Sequence, residues 1–105
     1  MSEILKFREK KALETIKSAY GTEEDEYGAT LFISHHLEEI EPSYWLKHTG
    51  ESKPSPEKVL NLLVLKSQWD EDLAFDFTLP EETTNYVICV RFDENNEIIE
   101  ITMES

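Results

Sequence analysis

Two hydrophobic rhythms divide the chain. Near the N-terminus, Leu5, Ala12, Leu13, Ile16 and Tyr20 recur at helical spacing while Lys, Arg and Glu fill the positions between them. This pattern predicts an amphipathic helix over 5–20, with Gly21 placed to end it. The acidic stretch "TEEDEYG" (22–28) reads as a loop bounded by glycines, and "ATLFIS" (29–34) reads as a short buried strand. Pro42 suits a first helical position, so residues 42–48 are expected to make one or two helical turns, and "GESKP" (50–54) a loop. Ser55 as cap, Pro56 in the first turn and Glu57 at the positive dipole end then start a helix whose apolar residues Val59, Leu60, Leu62 and Leu63 carry it to Leu65.

From Leu73 onward the period changes to two. Leu73, Phe75, Phe77 and Leu79 alternate with Ala74, Asp76 and Thr78. Tyr86, Ile88, Val90 and Phe92 alternate with Val87, Cys89 and Arg91, and Ile99, Ile101 and Met103 with Ile98, Glu100 and Thr102. Three strands joined by the turns "PEETTN" and "DENN" make an antiparallel meander. Each strand has one strongly apolar face that must be covered, and the helices at 5–20 and 56–65 are the available cover. The predicted class is α+β: a three-stranded C-terminal meander, joined at its edge by the strand near 29–34, with helices packed on one face. At 105 residues this is one domain, able to bury roughly 65% of its unfolded surface.

Charge changes the picture more than composition does. The net charge is −13, beyond the magnitude of about 2–8 that suits a small soluble domain. Residues 1–17 set Lys6, Arg8, Lys10, Lys11 and Lys17 against Glu3, Glu9 and Glu14, a net +2, so residues 18–105 carry −15. Such a field repels nucleic-acid phosphates and anionic membranes and attracts basic proteins. No apolar run approaches the roughly 20 residues of a membrane helix, and charges interrupt "MSEILKFREKK" where a signal peptide would be apolar. Together with the single Cys89 these features lead to the expectation of a cytoplasmic protein.

Candidate chemistry concentrates in "SHHLEEIE" (34–41). On a strand His35 and His36 point to opposite faces and cannot share a metal ion; on a helix either could join Glu39. A third ligand would then have to arrive, and His48 is the remaining histidine. The HExxH spacing is absent, and the expectation is a strand end with no metal. Cys89 sits among apolar neighbours, a setting for a packed thiol and not a nucleophile. Asp76, Arg91 and Glu100 share the less apolar face of neighbouring strands, where they form cross-strand pairs or frame a surface for a partner. Trp45 and Trp69 fall near element ends, at the rim of the core or as interface anchors. No phosphate loop, dinucleotide fingerprint or catalytic triad spacing is present, so neither catalytic residues nor cofactors are assigned.

The C-terminal third, with its "DFTLP" strand and "VRFDENNEIIEI" hairpin, resembles that part of small bacterial proteins of unknown function and of small acidic immunity-type proteins that neutralise a co-encoded toxin. The resemblance implies a bacterial, cytoplasmic, non-enzymatic protein. The functional expectation is thus an acidic binding protein with a basic protein partner. The alternatives are a small metal-dependent hydrolase built on His35, His36, Glu38, Glu39 or His48, and a homodimeric regulatory protein.

Overall fold

A computed structural model describes residues 3–104, with Glu82 described by its backbone only. Four helices precede four strands: α1 (Glu3–Ala19), α2 (Ala29–Glu39), α3 (Pro42–Thr49), α4 (Pro56–Leu60), β1 (Val64–Trp69), β2 (Ala74–Thr78), β3 (Val87–Phe92) and β4 (Ile98–Glu104). The strands pair antiparallel in the order β1-β2-β3-β4, and the class is α+β. The meander at β2–β4 and the helices starting at Ser55 and Pro42 lie where the sequence patterning puts them. Ser55 accepts a hydrogen bond from Lys58 N as the cap of α4, and Gly50 closes α3 with a left-handed φ of 83°.

Two expectations are corrected. Residues 29–34 are not a strand; they are the first half of helix α2, which runs to Glu39 and includes His35 and His36. The helix from Pro56 stops at Leu60, and the chain then forms β1, a fourth strand that the alternation did not reveal. β1 was hidden because its register slips between Leu65 and Ser67. A bulge adds one residue and breaks the period of two.

The start of α2 depends on a residue outside it. Gly28 offers no side-chain cap. Asp25, four residues before Ala29 and only 4% exposed, does the capping: its Oδ1 accepts from Ala29 N at 3.1 Å, and its Oδ2 from Thr30 N at 2.8 Å and Thr30 Oγ1 at 3.0 Å. The free peptide N–H groups of a first helical turn need such acceptors. The acidic loop is therefore folded around one buried carboxylate, with Gly21 N donating to Thr30 Oγ1 and Met103 N donating to Tyr27 O.

A single buried cluster joins α1 (Ala12, Ile16), α2 (Ala29, Phe32, Ile33), Trp45, Val59 and Leu60 to Phe75, Phe77, Ile88, Val90 and Phe92. The strand members all come from one set of alternating positions, as a pleated strand requires. Arg8 and Lys11 of α1 meet the β1–β2 and β3–β4 turns, two of the three connections of the sheet. Arg8 donates to Asn96 Oδ1 (2.7 Å) and to Asp72 O (2.8 Å), and Lys11 donates to Asn96 O (2.8 Å). Arg8 and Lys11 are thereby engaged within the fold, while Lys6, Lys10 and Lys17 are exposed.

Candidate binding surface

The histidine-rich stretch is helical, yet its side chains take up structural partners. His36 is 1% exposed, and its Nδ1 lies 2.6 Å from Phe32 O while Nε2 lies 2.9 Å from Thr84 Oγ1. A carbonyl oxygen can only accept, so Nδ1 carries the proton and Nε2 accepts from the Thr84 hydroxyl. Burial holds this imidazole below its ordinary pKa and the nearby His35 ring adds to the effect, while the bond to Phe32 opposes it. His35 packs edge-on against Tyr86 at 5.2 Å. His48 belongs to another group: its Nε2 lies 3.0 Å from Glu81 Oε2 and its ring 4.4 Å from that of Tyr44. Lys47 and His48 hold the Glu81 carboxyl below its usual range, and burial pushes the Tyr44 hydroxyl up to about 12. Glu38 and Glu39 are exposed. Among the described residues no three His, Cys, Asp or Glu side chains are placed to hold a metal ion.

The neutral state of His36 has a consequence for stability. The unfolded chain takes up a proton near pH 6.5, while the folded chain resists doing so until a lower pH. Between those two values the unfolded state binds more protons. Stability is therefore expected to be full above about pH 6.5 and to fall as pH drops below it. Urea midpoints measured between pH 7.5 and pH 5, set against those of His36→Gln, check this: the decline that begins near pH 6.5 should be absent from the variant.

The strand positions outside the main cluster build a second surface. Ala74, Asp76 and Thr78 on β2 stand opposite Trp69, Ser67 and Val64 on β1. Ala74 and Asp76 also stand opposite Arg91 and Cys89 on β3. Thr102 and Glu100 on β4 complete the rows beside Cys89 and Arg91. Asp76 organises the near part of this face. Its Oδ2 accepts from Ser67 Oγ (3.2 Å) and Trp69 Nε1 (3.1 Å), and its Oδ1 is shielded from solvent and has no hydrogen-bond donor among the described residues. Arg91 lies over the Trp69 ring at 4.9 Å and pairs with Asp70 at 2.7 Å. A hollow of about 250 Å³ opens between Lys66, Trp69, Asp76, Asn85, Val87 and Glu104.

Of the residues singled out from the sequence, Trp69 contacts both Asp76 and Arg91, and Glu100 stands opposite Arg91 across the β3–β4 register. Trp45 is elsewhere: it is 1% exposed within the core, so it presents no anchor to a partner. Lys66, Asn85 and Glu104 were not anticipated, because only the register brings them beside Asp76.

Cys89 lies in the middle of this face, fully buried. Burial, reinforced by the Asp76 and Glu104 carboxylates, pushes its thiol up to about 12. The thiolate is the reactive form, so the native protein is expected to leave a thiol reagent such as DTNB unconsumed at pH 8, and to release one equivalent once denatured. Rapid reaction without denaturant would show the thiol to be accessible and ionised.

No helix among the described residues is long and apolar enough to cross a membrane. No family model, curated protein or solved structure matches the chain.

Proposed function

We propose that this protein is a non-enzymatic acidic binding domain whose partner is a basic protein, in the manner of the immunity and inhibitor proteins that its C-terminal third resembles. In this reading the helices cover the sheet face lined by Phe75, Phe77, Ile88 and Val90, and the opposite face is left for the partner. The observation that carries it is the unneutralised acidic excess. Twenty-three carboxylates stand against ten Lys and Arg, and Arg8, Lys11, Lys47, Lys58 and Arg91 among those cations are already engaged within the fold. A surface so charged accelerates encounter with a cationic partner and suppresses encounter with an anionic one.

The test is affinity purification from the source cell with the tagged protein, at low ionic strength and again at high. One partner with a basic isoelectric point is expected, bound stoichiometrically, with an association rate that falls steeply as salt rises. Recovery of no partner at either salt, or of an acidic one, overturns the reading.

A further inference from the structure

The sheet treats its two edges differently. At β4, Met103 N donates to Tyr27 O at 3.1 Å, so the acidic loop ties down one outward backbone group of that edge. β1 is the other edge, and among the described residues no backbone bond joins its outer side to another segment. The direction of its free peptide groups follows from the ladder, because facing residues in an antiparallel pair alternate between bonded and non-bonded. Met103 points outward to Tyr27, so its partner Ile88 turns toward β2, and Phe77 opposite Ile88 turns toward β3. Phe92 N, donating to Leu73 O at 2.7 Å, agrees with this parity. Leu65 opposite Phe77 and Gln68 opposite Phe75 then direct their N–H and C=O groups away from the sheet.

Two hollows flank this strand and share Lys66. One, of about 250 Å³, runs across the sheet from Trp69 and Asp76 to Glu104 on the far strand β4; the other, of about 230 Å³, has Leu79, Pro80 and Glu81 in its wall. At the strand ends Val64 and Trp69 are 45% and 44% exposed. A free edge with flanking hollows is the arrangement by which sheets accept an added strand: backbone bonds supply affinity, and the hollows select side chains.

We propose that β1 receives an extended, lysine- or arginine-bearing segment of the basic partner as a fifth strand. Leu65 and Gln68 supply the backbone bonds, and the cationic side chains reach the near walls of the hollows, beside Asp76 and Glu81. The proposal rests on the basic-partner reading and specifies where that partner binds. A second copy of this chain is opposed at the same edge by its charge of −13.

The test uses a capped seven-residue peptide of alternating lysine and valine, and a peptide of equal charge with a central proline that cannot pair as a strand. Amide exchange by NMR at low salt is the readout. The alternating peptide is expected to slow exchange at Leu65 and Gln68 by roughly tenfold or more, the proline peptide is not, and Gln68→Pro, which removes one outward N–H and no bond to β2, abolishes binding. Protection at the two amides in the unaltered protein decides the matter should that variant fail to fold. Equal binding of both peptides without such protection overturns the edge site and leaves the basic-partner reading standing. Binding of neither peptide overturns the edge site, and the purification experiment above then judges the basic-partner reading by itself. Light scattering that shows a dimer with Leu65 and Gln68 already protected assigns the edge to a second copy and overturns the proposal.

Discussion

Gly28→Ala is expected to lower the unfolding free energy by about 3 kcal/mol, the upper part of the range for forcing atoms into packed space. A methyl group at this position would collide with Asp25 Oδ1 and lie 2.8 Å from Ile101 O. Neither can retreat freely. Asp25 is fixed by the three donors it satisfies at the start of α2, and Ile101 is locked in the β3–β4 ladder. Relief requires either uncapping the helix or pulling the loop off the strand edge, where Tyr27 O holds Met103 N. Gly21→Ala is the control. It has open space around it but a φ of +86°, so its cost should be about 1 kcal/mol, from backbone conformation alone. Urea denaturation of the two variants measures the difference; equal losses would show that Gly28 is not sterically confined.

The position of Gly28 also explains why one part of the fold was legible in the sequence and another was not. The strands β2 and β3 announce themselves because Phe75, Phe77, Ile88 and Val90 alternate without interruption. The turn before β4 does so because Asp93 Oδ1 accepts from Asn95 N and Glu97 N, a local habit of aspartate. Helix α2 has no such local sign. Its cap comes from Asp25 across an intervening turn, and a run of six apolar or small residues satisfies a strand as readily as a helix. β1 carries a bulge, and the turn that follows it places Asp70, Glu71 and Asp72 in succession at φ of 55°, 56° and 65° without a glycine to signal it. Of the candidate surface, Asp76 and Arg91 were legible because period two places β-strand residues on faces, whereas Trp69 stood out only as an aromatic near an element end, since β1 itself was hidden. Lys66 and Glu104 were not, because their proximity depends on the registers between strands.

The helical state of residues 29–39 reassigns which side chains hold the core, and this yields the other large effect. Ala29, Phe32, Ile33 and His36 are the buried residues of α2, the spacing of one helical face. A strand would instead bury Ala29, Leu31 and Ile33 and turn Phe32 away. Phe32 is fully buried, in the cluster with Ile16, Val59 and Ile88, and its ring lies 4.1 Å from that of His36. Phe32→Ala should therefore cost about 3–5 kcal/mol, the lost transfer energy plus the cavity left behind. That is a large part of the roughly 5–15 kcal/mol that holds a small domain folded. It also removes a neighbour of the His36 ring, so the pH dependence below 6.5 should weaken with it. Leu31→Ala, at a position only partly buried, should cost about 1 kcal/mol. Thermal or urea unfolding of the pair reads out the order directly, and a greater loss at Leu31 than at Phe32 would mean that the segment packs as a strand.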